Sequence, residues 1–304
     1  MKIGLITPLN GRPGTTPPPP SWSSVKERAL LAESIGFDMF VYEDALLYRG
    51  AEHTNGLWES MAISGAIAEA TSSIRFGQSV VNSPYRSPAM LVSMAETLNE
   101  ISGGRYVLGI GAGNTADSDY EGFGFPTDHR FSRFAEAIEI IHTLARTGRC
   151  TVEGEYYSVK DAEIVLRGTD GTGPFINIAA GGPKMMSLVA KYGDAWNWWF
   201  WDMTAEQAAE HMATPIANLE KACDEVGRDP STVVRTLDLY SITPPGFDQP
   251  DKWTNSAFGS AEATAAHILS AASMGFEEVR VSLTDESLEA IEAMAPVVEL
   301  VHAG

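Results

Sequence analysis

The residues best suited to chemistry lie where short apolar runs give way to loops. Val41-Tyr42 leads into Glu43-Asp44, two adjacent carboxylates at the end of an apolar segment. Two carboxylates at a buried mouth can bind a polar ring edge or move protons, and they can equally cap a helix or hold a salt bridge. Ala179-Ala180 ends in Gly181-Gly182, followed by Pro183-Lys184. Proline suits the first position of a helix, and the free N–H groups of such a helix start attract phosphate. A tight turn alone needs one glycine, and Lys184 adds charge. In Gly109-Ile110-Gly111-Ala112-Gly113-Asn114, small residues allow a planar ligand to approach the backbone. The run is no full dinucleotide fingerprint, because the acidic residue that should follow is missing. Trp196-Asn197-Trp198-Trp199-Phe200-Trp201 would send about half its side chains inward, and Trp196, Trp198 and Phe200 are the candidates for an aromatic pocket wall. Core packing is the alternative for two of them. His53 and His129 fall in expected loops as candidate proton donors, whereas His142, His211, His267 and His302 fall on expected helices. No His/Cys/carboxylate spacing suits a metal, and no Gly-x-Ser-x-Gly elbow suggests a serine nucleophile.

The elements that must position these groups alternate regularly. Strand-like runs are expected at 3–7, 38–42, 74–81, 106–110, 175–179, 195–200, 233–242 and 278–283. Several are continuously apolar, as in parallel strands covered on both faces. Helical patterns lie between them; Leu91, Met94, Ala95, Leu98 and Ile101 form one stripe, stopped by Gly103-Gly104. Eight strand–helix units fit a closed (β/α)8 TIM barrel or an open doubly wound sheet. The length favours the barrel, as a single domain over 1–304 with an insertion at about 149–173. Catalytic groups then belong at the strands' C-terminal ends.

Composition narrows the classes of function. The chain has 304 residues, and 21 basic against 40 acidic side chains give a net charge of −19, without the basic stripe of a nucleic-acid binder. No uncharged apolar run reaches the ~18 residues of a membrane span. Cys150 and Cys223 are isolated, as expected in a reducing compartment. The expectation is a soluble, cytoplasmic protein with a small-molecule partner, no nucleic acid, no membrane and no metal.

Taken in series, several segments resemble the bacterial luciferase-like superfamily of flavin-dependent monooxygenases and oxidoreductases using the deazaflavin coenzyme F420. They are Ala32-Glu33-Ser34-Ile35-Gly36-Phe37-Asp38, Ala70-Thr71-Ser72-Ser73-Ile74-Arg75-Phe76-Gly77, Tyr85-Arg86-Ser87-Pro88-Ala89, Leu98-Asn99-Glu100-Ile101-Ser102-Gly103-Gly104-Arg105, Gly109-Ile110-Gly111-Ala112-Gly113, and Gly181-Gly182-Pro183 with Tyr192-Gly193-Asp194-Ala195-Trp196. The resemblance covers nearly the whole chain and implies a TIM barrel, usually dimeric, with an isoalloxazine-type ring at its mouth. It implies a non-proline cis peptide at Ser79-Val80 backing the ring, ring and tail contacts at Asp44, Asn82, Ala112, Gly113 and Asp117, and phosphate contacts at Gly181, Gly182, Lys184 and Met185. Ala45 stands where relatives often have histidine, and Asn114 where sugar-phosphate dehydrogenases have a catalytic glutamate. Asn114 remains a weak acid–base candidate, and the proton donor stays open. Ala180 in the phosphate turn is similar to the deazaflavin branch, since FMN-binding relatives more often have serine. The leading expectation is F420-dependent hydride transfer to or from an apolar or aromatic small molecule. The alternatives are a two-component monooxygenase that receives reduced FMN from a separate reductase, and a cofactor-free binding protein on a barrel scaffold.

Overall fold

The structure, a computed structural model, describes residues 1–10, 20–49, 54–113, 119–164, 171–251 and 258–304. Its barrel strands, numbered one to eight, are Lys2–Ile6, Met39–Tyr42, Arg75–Gln78, Tyr106–Gly111, Phe175–Ala179, Ala195–Trp201, Val234–Ile242 and Glu278–Leu283. All neighbouring pairs are parallel, and pairing of the fourth with the fifth strand closes the ring. The short strand Val81–Asn82 carries the third onward beside the fourth. The open-sheet alternative is thereby excluded.

Local sequence accounts for the helices that wrap the ring. Pro88 opens Pro88–Ser102, and Gly103 ends it in the left-handed region at φ 64°. Thr204 and Gln207 form a reciprocal capping box at the start of Ala205–Val226. The expected helix over 287–301 divides into Leu288–Glu292 and Ala295–Ala303, because Pro296 lacks the N–H that a continuous helix would require. Between helix Arg130–Thr147 and strand five, Arg149–Glu153 pairs antiparallel with Ser158–Glu163. This hairpin lies within the expected insertion, part of which falls outside the described residues.

The barrel has two buried layers. Outward side chains such as Ile3, Leu5, Phe40, Phe76, Leu108 and Ile178 pack beneath the helices. Inside, Ile6, Met39, Val41 and Val107 form a separate apolar cluster, alongside an ionic one. Arg280, fully buried, donates from Nε to Glu278 at 2.8 Å, and its Nη1 lies 3.4 Å from Asp238 Oδ1. Gly4 makes room for it, since a Cβ there would come within 2.9 Å of Arg280 Cγ. Gly109 permits the close approach of strands three and four, because its Cβ would sit 1.9 Å from the Gln78 carbonyl oxygen. Among the described residues, no helix is long and apolar enough to cross a membrane, and no cluster could hold a metal ion.

Candidate active site at the barrel mouth

Two cavities adjoin at the C-terminal ends of the strands. The first, about 410 Å³, is lined by Ser79, Val80, Asn82, Gly111, Ala112, Gly113, Arg130, Ala179, Met185, Asn197, Trp199, Trp201, Asp238 and Tyr240. The second, about 610 Å³, shares Ser79, Trp201 and Tyr240 with the first and adds Glu43, Tyr48, Asn10, Ser282 and Glu286 among others. Trp201 and Tyr240 stack between them, with ring centroids 4.1 Å apart and planes 10° from parallel. Both volumes suit small ligands.

The floor of the first cavity is the cis peptide Ser79-Val80. The Ser79 hydroxyl donates to Asp238 Oδ2 at 2.5 Å, and Asn197 Nδ2 donates to the same oxygen at 3.1 Å. Burial pushes the Asp238 carboxyl above its usual range, against the pull of Arg280. Glu278 is also buried but held below its usual range, because both Arg280 and Arg75 face it. The small Gly111 to Gly113 segment forms one wall; Arg130 Nη1 donates to the Gly113 carbonyl at 2.9 Å.

At the rim, Gly182 caps helix Pro183–Tyr192 without any side-chain hydrogen bond. No N-cap side chain takes up the first-turn N–H groups, a helix start of the kind that can hold an anion, and Met185 joins this turn to the first cavity. A Cβ on Gly181 would come within 3.3 Å of the Trp198 ring, whereas one on Gly182 would meet nothing within 4 Å. Lys184 Nζ lies 5.8 Å from the centre of the Phe131 ring.

Asp44 occupies a different position from the expected one. It is only 3% exposed and lines neither cavity. Its carboxylate receives Arg86 Nη1 at 2.8 Å and Nη2 at 3.0 Å, Ser60 Oγ at 2.7 Å and the Asn82 N–H at 2.9 Å. The Asn82 side chain also donates to the Asp44 carbonyl. Burial opposes the Arg86 charge, but Asp44 and Glu59 outweigh it and raise its pKa. Asp44 is therefore an anchor that positions Asn82, with no lone pair aimed at the cavity. Asp44→Asn is expected to cost about 1–3 kcal/mol of stability in chemical denaturation, less than a fully broken buried pair because Glu59 stays beside Arg86.

The aromatic strand is also turned the other way. Trp196 is fully buried and donates from Nε1 to the Ala180 carbonyl at 2.9 Å, and Phe200 packs near His211 under the helices. Trp198 packs outside the barrel against Trp196, His211 and Gly181. The wall is instead formed by Asn197, Trp199 and Trp201, the last two 45% and 53% exposed. His129 lies outside both linings, paired with Asp128 at 2.9 Å and 5.5 Å from the Tyr156 ring centre. His53, Asn114 and Asp117 lie outside the described residues. The structure does bring Ser79, Val80, Asn82, Ala112, Gly113 and Met185 around one cavity.

Sequence reasoning placed Glu43 beside Asp44 but chose Asp44 for the site; Glu43 lines the second cavity, and its Oε1 accepts the Leu9 N–H at 3.0 Å. Burial pushes this carboxyl up to about 7, with Glu286 adding to the rise. Strand parity would have found it: Met39, Val41 and Glu43 share a face, opposite Tyr42 and Asp44.

A closed parallel barrel with its cavities at the strand ends defines a TIM barrel. The chain belongs to the luciferase-like monooxygenase family, which it matches over residues 1–244. It is 35% identical over 164 residues to the 5,10-methylenetetrahydromethanopterin reductase of Archaeoglobus fulgidus, covering 54% of this chain and 45% of that relative. It is 27% identical to the F420-dependent glucose-6-phosphate dehydrogenase of Segniliparus rotundus, over 79% of this chain and 70% of the other. The fold matches an F420-dependent secondary alcohol dehydrogenase solved with an F420–acetone adduct, with a TM-score of 0.79 at 17% identity, covering 99% of this chain and 98% of that one.

Proposed function

We propose that this protein is an oxidoreductase that exchanges hydride with coenzyme F420 and acts on a small molecule in the adjoining cavity. The observation that carries the reading is the junction of three features at one rim: a small-residue wall, an uncapped helix start, and a second cavity sharing Ser79, Trp201 and Tyr240 with the first. The residues fit the coenzyme. Val80, Asn82 and the Gly111 to Gly113 wall would border its ring, and the Gly181-Gly182 turn with Lys184 would hold its phosphate. When bound, the deazaflavin supplies a hydride donor or acceptor. The chain's own groups do the rest. Asp238 and Asn197 fix the Ser79 hydroxyl below the ring, Asp44 fixes Asn82 through its N–H, and Trp199 and Trp201 exclude water from the mouth. The same reading places the protein in the cytoplasm as a homodimer.

Titration of the purified protein with F420 and with FMN tests the assignment. The expected result is saturable quenching of F420 fluorescence at micromolar concentration with much weaker FMN binding. Tight FMN binding without F420 binding would establish the second reading, a monooxygenase supplied by a separate reductase, which the family match favours. Affinity for neither ring would leave a cofactor-free binding protein.

A further inference from the structure

The second cavity is lined by a buried carboxylic acid, Glu43. Glu43 lies at the end of strand two, on the inward-facing parity of Met39 and Val41. It lines the cavity together with Ser79, Trp201 and Tyr240, the residues that this cavity shares with the first. A molecule filling the second cavity therefore meets both Glu43 and the boundary with the cofactor cavity.

We propose that Glu43 protonates the substrate oxygen, so that the substrate is an uncharged ketone or aldehyde reduced to its alcohol, or that alcohol oxidised in reverse. The inference rests on the F420 reading above. Three observations support it. The carboxyl is held at the cavity wall by two backbone donors, the Leu9 N–H to Oε1 and its own N–H. Glu43 titrates near 7, so it is present as both acid and base at neutral pH. Finally, two carboxyl groups, Glu43 and Glu286, line this cavity, and negative charge there disfavours a phosphorylated or carboxylated substrate. The other ionisable groups facing Glu43 are Tyr48, Tyr240 and Glu286. Arg28 lies 3.7 Å from Glu286 and offsets that charge.

The step balances. The substrate carbon receives a hydride, two electrons, from the reduced deazaflavin, which is oxidised. The C=O π pair moves onto oxygen, and oxygen takes the proton from the Glu43 carboxyl. Solvent then reprotonates the carboxylate. An acceptor that already carries a positive charge, such as a C=N⁺ group, would need no such donor.

Two measurements test the proposal. The first needs no cofactor. Because folding raises the Glu43 pKa, wild-type stability is full below its unfolded value, near 4.5, and falls as pH rises through about 7. Glu43→Gln removes that loss, so its denaturation midpoint relative to wild type should become steadily more favourable between pH 5 and pH 8. A pH-independent difference overturns the protonated-acid assignment. The second uses a panel of uncharged ketones and aldehydes led by cyclohexanone and benzaldehyde, with reduced F420 as donor. Glu43→Gln should bind F420 as wild type does but reduce the accepted carbonyl ~10²-fold or more slowly. It should also lose the wild-type rate inflection near pH 7. Glu43→Ala should be partly rescued by added acetate, which separates a missing proton donor from a damaged fold. Turnover of Glu43→Gln within threefold of wild type overturns the role of Glu43. Wild-type protein that binds F420 yet reduces no member of the panel overturns the substrate class. Absence of F420 binding in wild type overturns the underlying reading, and the pH-dependent stability result distinguishes that failure from a failure of Glu43 itself.

Discussion

Replacing Arg280 with methionine is expected to lower stability by about 3–5 kcal/mol, because it leaves buried carboxylates without their counter-charge. In a domain of this size that is a fall on the order of 10 °C in Tm. The damage is unequal. Glu278 keeps Arg75 at 2.8 Å, whereas Asp238 keeps only the neutral Ser79 and Asn197 donors. Asp238 would then hold its proton more tightly in the folded state than in the unfolded state. Stability of Arg280→Met should therefore be best at low pH and fall as pH rises through the raised Asp238 pKa. Adding Asp238→Asn should restore more than half of the loss at pH 8. The check is urea denaturation of the single and double variants at pH 5 and pH 8. A single-variant loss below 1 kcal/mol, or a double variant no more stable than the single, would show that Arg280 does not neutralise Asp238.

Gly182→Asp is expected to weaken F420 binding by about 2–4 kcal/mol while leaving Tm within 2 °C of wild type. The two halves of this expectation have separate causes. A Cβ on Gly182 meets nothing within 4 Å, and its φ of −106° is open to any residue, so neither packing nor backbone suffers. The aspartate is also a good helix cap. It would accept the very N–H groups left uncapped at the start of Pro183–Tyr192 and place a negative charge where the phosphate belongs. Equilibrium fluorescence titration beside thermal melts measures both quantities. Undiminished affinity in a folded variant would move the phosphate away from this turn.

The barrel was legible because its signals are local and repeated. Seven of the eight expected strands matched within a residue, while the third, expected at 74–81, breaks after Gln78 at the cis bond; Gly103 and Pro88 bounded their helix as their backbone chemistry requires. The turn at Gly181-Gly182 and the small Gly111 to Gly113 wall were legible for the same reason. Side-chain direction was not. A parallel strand covered on both faces buries its two sets of residues almost equally, so composition cannot tell inside from outside. Trp196 and Asn197 are both nearly inaccessible, yet one faces the helices and the other the barrel axis. The same ambiguity concealed Glu43 behind Asp44. Only the hydrogen-bond partner of each carboxylate, Arg86 for one and the Leu9 N–H for the other, separates the anchor from the group that meets the cavity.

The stacked pair Trp201 and Tyr240 has a consequence for how this protein could diversify. Among the described residues, the boundary between its two chambers includes these two side chains, which come from neighbouring strands. Its height can therefore change by point substitution, without rebuilding a loop. Trimming either ring would merge the chambers, whereas altering residues such as Tyr48 or Ser282 would reshape only the far one. Selection can thus retune what enters from one side while the other chamber keeps its own lining.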